Sequence, residues 1–126
     1  MSFNLFFILH GIVTLATAVT FLFAPGVMLV LFGTPANPAI NLVTQLLGAA
    51  FLGVGGVALA AGRIGSVEFK RTVAFVLLIA SVMGFIVSLV GQFRGVTGPV
   101  GWGAVLIYGT LTVGYSVFLT RGQARR

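Results

Sequence analysis

Four long apolar runs constrain the fold of this chain more than any other feature of its sequence. They cover about residues 4–24, 40–61, 72–91 and 101–119. A helix rises about 1.5 Å per residue, so roughly 20 residues cross the ~30 Å hydrocarbon core of a bilayer. Lipid offers the backbone no hydrogen bonds, which favours helices, whereas barrel strands would be about ten residues long with alternating polarity. The sequence therefore predicts an all-α, integral membrane four-helix bundle that forms one domain over residues 1–126.

Charged residues are scarce and almost all basic. Only 6% of the chain is charged and 59% is hydrophobic, whereas a soluble domain carries about 25% charged residues. The net charge of +6 comes from seven basic residues and one acidic residue, all outside the apolar runs. This pattern is typical of the positive-inside rule, and we expect no nucleic-acid binding. The absence of cysteine excludes disulfides, thiolate nucleophiles and cysteine-ligated metals.

The basic residues predict the orientation. Six of them flank the runs on one side of the membrane, namely Arg63, Lys70, Arg71, Arg121, Arg125 and Arg126. Only Arg94 falls on the other side. Both termini are therefore predicted to be cytoplasmic. The first run contains Ala16-Thr17-Ala18, which resembles a signal-peptide cleavage site, but no positive segment precedes it, so we predict a retained helix.

Residues 24–38 connect the first two runs and contain a second apolar stretch. Pro25-Gly26 should break or kink the first helix. The segment then either lies along the outer interface or bends and lengthens the first helix. Pro38 suits the first turn of the next helix.

Small residues at four-residue spacing indicate where helices approach one another. Helices gain no hydrophobic free energy by associating in lipid, so close packing of small residues must hold them together. The residues predicted to serve this purpose are Ala49, Gly53, Gly56, Ala60, Ala80, Gly84, Ser88, Thr110 and Gly114.

His10 is the only histidine in the chain, and it lies inside the first apolar run. Thr14 follows it one turn later, and Tyr115 lies at a similar depth in the fourth run, so His10 and Tyr115 could meet. His10 is either a neutral imidazole bonded to a hydroxyl or carbonyl group, a contact for an apolar ligand, an axial ligand to a metal or tetrapyrrole, or a proton relay. A single histidine without further ligands predicts no metal site.

A second polar group is predicted at the outer end of the bundle. It consists of Asn41, Gln45, Gln92 and Arg94, which could bind a polar or anionic group. Arg94 could instead extend to lipid phosphates. The only acidic residue, Glu68, lies in a loop, which disfavours proton-coupled transport. We find no catalytic constellation and predict that the chain is not an enzyme.

The segment PAINLVTQLLGAAFLGVGGVALAAGR, preceded by FAPG, resembles the small four-helix bacterial membrane proteins of the DoxX-like type and related families of unknown function. The resemblance covers about residues 20–63. It implies a bacterial cytoplasmic (inner) membrane protein, and some members of that family are membrane subunits of quinone-linked oxidoreductases. It carries no site residue over to this chain.

The small-residue faces and the lack of a reactive constellation predict an accessory or assembly subunit of a larger membrane complex. The alternative is a protein that binds or transports an apolar small molecule, and an oligomeric channel is the third reading. We expect membrane lipids as partners, together with further copies of the chain or other membrane subunits. No cofactor is predicted, although a lipid, quinone or tetrapyrrole could bind.

Overall fold

Five helices account for all the regular structure in the computed structural model, which describes residues 3–121. They are α1 (Phe3–Phe23), α2 (Pro25–Leu31), α3 (Pro38–Ile64), α4 (Val67–Phe93) and α5 (Gly101–Arg121). The four long helices are each long and apolar enough to cross a membrane. This confirms the predicted all-α membrane bundle. Arg125 and Arg126, used above to predict orientation, lie outside the described residues.

Polar caps extend the helices beyond the apolar runs. The Asn37 side chain accepts a hydrogen bond from the Ile40 amide at 2.9 Å, with Pro38 in the first turn of α3. The Ser66 hydroxyl accepts one from the Phe69 amide at 3.2 Å, so α4 begins at Val67, before the predicted apolar run. Each cap satisfies an amide that has no partner within its own helix. Hydropathy therefore located the part of each helix that fits in lipid, and the caps decided where the helix begins.

The connection after α1 forms a separate helix. The last backbone bond of α1 runs from the Ala24 amide to the Thr20 carbonyl at 2.8 Å, and Pro25 opens α2. The chain leaves α2 through Gly33, whose φ of +72° is in the left-handed region that favours glycine. The first helix therefore breaks at Ala24, directly before Pro25, and the segment that follows forms a short helix of its own.

Successive long helices run in opposite directions, and they form two close pairs, α1 with α3 and α4 with α5. Lys70 Nζ donates to Asn4 Oδ1 at 3.0 Å, which places the start of α4 beside the start of α1. The Phe3 and Phe118 rings lie 4.9 Å apart, which adds the last turn of α5. We call this the terminal end of the bundle and the opposite end, which holds α2 and residues 94–100, the short-helix end.

Glycines at seven-residue spacing hold α1 against α3. Gly48, Gly55 and Gly62 of α3 are buried, and added Cβ atoms would lie 2.7–2.9 Å from side chains of α1. The opposing glycine, Gly11, is equally restricted, because its Cβ would lie 2.8 Å from the Leu59 amide nitrogen. We call these four residues the glycine seam. A seven-residue repeat keeps one face of each helix in register with its neighbour over several turns.

This seam corrects the prediction that four-residue spacing marks the approach on α3. Added Cβ atoms at Gly53 and Gly56 would meet nothing within 4 Å, and Ala49 is exposed. The four-residue pattern lies on the outward face of α3, while Gly48 and Gly55 bring the backbones together. Ala60, which completes the predicted set, is half-buried.

The predicted small residues of α4 and α5 have mixed roles. Gly84 lies beneath the ring of Tyr108, which lets the two helices approach. Gly114 lies against the ring of Phe6, across the α1–α5 boundary. Ser88 is half-buried, and Ala80 and Thr110 are exposed; the last two line the cavities described below.

The buried core occupies the half of the bundle near the terminal end. It draws on all four long helices and contains Phe7, Ala58, Ala61, Val73, Ala74, Leu77, Leu111 and Tyr115. Phe7 and Tyr115 are its largest fully buried side chains. This cluster joins the two helix pairs, which otherwise make few contacts with each other.

Candidate functional site

A cavity of about 400 Å³ separates the two helix pairs between the middle of the bundle and the short-helix end. All five helices contribute to its wall, and most of the lining is aliphatic or aromatic. Its lining includes His10, Phe21, Met28, Phe51, Ser81 and Tyr108. No Asp, Glu, Lys or Arg is among the residues that line it. Its surface therefore suits an apolar guest with few polar groups.

A groove of about 360 Å³ between α1 and α5 adjoins this cavity. Leu9 and Leu106 line the groove and are exposed, Leu106 at 70% of its surface. The groove and the cavity share part of their lining, namely His10, Val13, Thr14, Ile107 and Leu111. Only these shared side chains separate the interior space from the lipid-facing groove. We call this boundary the portal.

His10 and Tyr115 meet, at the depth that the sequence suggested. His10 Nδ1 and the Tyr115 hydroxyl are 2.5 Å apart, and Tyr115 has no exposed surface. The rings of Phe6 and Phe7 lie 5.1 and 5.4 Å from that of Tyr115. This aromatic packing fixes the tyrosine and, through the hydrogen bond, the position of the imidazole at the portal.

Two threonines at the portal differ from the other helical threonines. Six of them donate to the carbonyl one turn back, the usual choice for a hydroxyl within a helix, and these are Thr17, Thr20, Thr44, Thr72, Thr112 and Thr120. The hydroxyls of Thr14 and Thr110 make no hydrogen bond within residues 3–121, and both line the groove beside His10. Their hydrogen-bonding capacity is available to a bound molecule.

The outer polar residues do not share partners. Gln45 Nε2 donates to the Leu22 carbonyl at 3.1 Å, which lies at the end of α1 where carbonyls lack an intrahelical donor. Asn41 Oδ1 is buried and has no hydrogen-bond partner in the described part of the chain. Gln45 therefore ties α3 to the end of α1 through one of its two amide hydrogens.

Gln92 lies in the last turn of α4, and Arg94 follows at its end. Gln92 Oε1 accepts from the Thr97 hydroxyl at 2.7 Å, and the Gly98 amide donates to the Phe32 carbonyl at 2.9 Å. Arg94 is the exposed C-terminal cap of α4. Across residues 3–121, no hydrogen bond joins any two of the four residues predicted to form the outer group. Gln45 and Gln92 instead make two separate contacts within the chain, and the binding of a polar or anionic group at this end stays a prediction.

Sequence reasoning missed Tyr108 as part of the cavity wall, which Ser81 also lines. The Ser81 hydroxyl is buried and donates to the Leu77 carbonyl at 2.6 Å. Tyr108 lies two turns before Tyr115 on α5, so the seven-residue spacing of the two tyrosines placed them on one helix face. That spacing was the available signal in the sequence.

A comparison of the chain with protein-family models, with curated proteins and with solved structures finds no match. The resemblance to DoxX-like proteins therefore stays a prediction. Within the described residues there is no group of three or more His, Asp or Glu side chains that could hold a metal ion.

Proposed function

We propose that this chain is a membrane protein that binds or transports an apolar small molecule taken up from the bilayer. The observation that supports this proposal is the cavity of about 400 Å³ between the helix pairs. Ligand pockets in proteins usually enclose about 300–1,000 Å³ and are mostly apolar. The proposed ligand is a lipid, a quinone or a pigment, because nothing on the cavity wall would neutralise a charge.

Packing energetics favour an occupied cavity. Side chains in protein interiors fill space to about 0.75 of its volume, and a void loses the dispersion contacts of its lining. In a membrane protein this loss is not offset by hydrophobic burial elsewhere, because lipid is as apolar as the side chains. An apolar molecule that enters through the portal would restore these contacts.

Native mass spectrometry of the protein extracted in mild detergent tests this proposal. We expect a retained small molecule on the wild-type chain, and its loss in Ala104→Phe, which places a ring against the cavity wall. The matched control is Ala49→Phe, because Ala49 is exposed on the outward face of α3. Equal retention in both variants, or no retained molecule in the wild type, would refute the proposal.

An accessory or assembly subunit is the second candidate function. The observation that favours it is the outward small-residue face of α3, where added Cβ atoms at Gly53 and Gly56 would meet nothing within 4 Å. Small residues on a lipid-facing surface permit close approach by another helix. Gly53→Leu should then abolish co-purification with a partner, or the formation of a homo-oligomer, without unfolding the chain. An unchanged assembly in that variant would count against the subunit.

We also propose that the terminal end faces the cytoplasm of a bacterial inner membrane. Four described basic residues support this orientation, namely Arg63, Lys70, Arg71 and Arg121, against Arg94 at the short-helix end. In intact cells, an impermeant thiol reagent should label Val96→Cys and not Ser66→Cys. The reverse labelling would invert the orientation.

A further inference from the structure

The tautomer of His10 follows from the burial of Tyr115. The Tyr115 hydroxyl has one hydrogen to donate, and its one hydrogen-bond partner within residues 3–121 is His10 Nδ1. If Nδ1 carried the imidazole proton, it would donate to the phenol oxygen and leave a buried hydroxyl hydrogen without an acceptor, which is costly. A phenol is also the stronger donor and an imidazole nitrogen the stronger acceptor. Tyr115 therefore donates to Nδ1.

With Nδ1 accepting, a neutral imidazole must carry its proton on Nε2. Nε2 makes no hydrogen bond to any part of the chain that the structure describes, and His10 lines both the cavity and the groove. The single histidine thus presents one N–H donor at the portal. Tyr115 acts as a positioning residue, because it orients the ring and selects its tautomer without lining either space.

The hydroxyls of Thr14 and Thr110 add two donors beside this N–H. Both line the groove with His10, and neither gives its hydrogen to the carbonyl one turn back. The lining of the groove contains no carboxylate and no amide side chain, so nothing there demands a donor from the ligand. The portal is a site for a hydrogen-bond acceptor.

We infer that the ligand carries a neutral carbonyl group, as in a ketone, quinone or ester, which accepts a hydrogen bond from His10 Nε2–H at the portal while its apolar part occupies the cavity. The inference rests on the proposed function, because it specifies the head group of the molecule that the cavity binds. An acceptor on an otherwise apolar molecule matches the polar groups at the portal and the apolar wall beyond it.

Two probes of similar size separate the contribution of the head group from that of the apolar body. Benzophenone has a carbonyl acceptor, and diphenylmethane has a methylene group in its place. We expect native mass spectrometry to show both probes bound to the wild type, with benzophenone preferred about threefold to tenfold, the range of one hydrogen bond within a membrane protein. In His10→Phe the ratio of the affinity for benzophenone to the affinity for diphenylmethane should fall toward one, while diphenylmethane still binds.

Nitrogen NMR reads His10 directly, because it is the only histidine in the chain. The protein, labelled with ¹⁵N-histidine and carrying a histidine-free affinity tag, is placed in lipid nanodiscs. We expect the protonated nitrogen to be Nε2, and benzophenone, not diphenylmethane, to shift its resonance. Tyr115→Phe should yield a mixture of tautomers, and Tyr108→Phe, the matched control on the same helix, should preserve the wild-type pattern.

The outcomes distinguish the two proposals. Equal affinity for both probes, with no carbonyl-specific shift of Nε2–H, would overturn the carbonyl inference and leave the apolar binding function standing. Binding of neither probe would overturn both. A protonated Nδ1 in the free wild-type protein would overturn the inference without any ligand, so it stays testable even where Tyr115→Phe does not fold.

Discussion

The half of the bundle near the terminal end is packed, and the half near the short-helix end is hollow. In the packed half, Phe7 and Tyr115 have no exposed surface. In the hollow half, Phe51 and Met28 line a cavity of about 400 Å³. The same four apolar helices run through both halves, so hydrophobicity does not explain the difference. In lipid, the shapes of the side chains and the distances between backbones decide which helices fill the space between them.

The largest expected effect comes from placing the same side chain in each region. Gly11→Leu should destabilise the protein by about 3 kcal/mol or more, because the new Cβ would press on the backbone of α3. Gly103→Leu should change the stability by less than about 1 kcal/mol, since it adds helix propensity and its Cβ meets nothing within 4 Å. Both values are measured by titrating the folded protein with sodium dodecyl sulfate and following the fluorescence of the single tryptophan, Trp102. Equal effects would show that the hollow half is as tightly packed as the glycine seam.

Removal of one aromatic ring from each half tests the same difference in packing. Phe7→Ala should lower the free energy of unfolding by about 2 kcal/mol. This is the part of the usual penalty that comes from the cavity left behind. The part that comes from transferring the side chain out of water is mostly absent in lipid. Phe51→Ala should cost less than about half as much, since its ring already borders an open space and stacks only on Phe21 at 5.7 Å. The same denaturant titration reports both. A larger loss at Phe51 would contradict the division into packed and hollow halves.

The hydrogen bond between His10 and Tyr115 links the packed half to the hollow half. Its contribution to the stability of the fold should be smaller than the two effects above. A double-mutant cycle of His10→Phe and Tyr115→Phe should give a coupling energy of about 1 kcal/mol, typical of a polar contact within a membrane protein. The pair of His10→Phe with Tyr108→Phe is the control, and we expect a coupling near zero. Similar coupling energies in the two cycles would contradict a specific interaction between His10 and Tyr115.

The smallest effect is expected at the outer end. Gln45→Leu removes the bond to the Leu22 carbonyl and should cost about 0.6 kcal/mol, the average for such bonds in membranes. Thr20→Val is a useful comparison, because its hydroxyl bonds within α1, and it should cost less. If Gln45→Leu instead abolished retention of the small molecule and spared stability, Gln45 would belong to the binding site.

The candidate site was predictable in part. The depth of His10 and Tyr115 followed from their positions within two helices of known direction, and the structure joins them. Gln45 and Gln92 were grouped by depth as well, but within residues 3–121 no hydrogen bond joins them, because equal depth alone does not pair side chains on different helices. Gln45 instead bonds to the Leu22 carbonyl and Gln92 to the Thr97 hydroxyl.

The sequence by itself determined that lipid surrounds this chain and which four segments span it, because only long apolar helices satisfy their backbone hydrogen bonds in lipid. Tertiary structure alone decided that the Gly48, Gly55 and Gly62 face meets α1, while the equally small Gly53 face turns outward. It also decided that the cavity stays open. Both outcomes depend on which helices become neighbours, and in a uniformly apolar chain the hydrophobic pattern does not distinguish a face that meets lipid from a face that meets another helix.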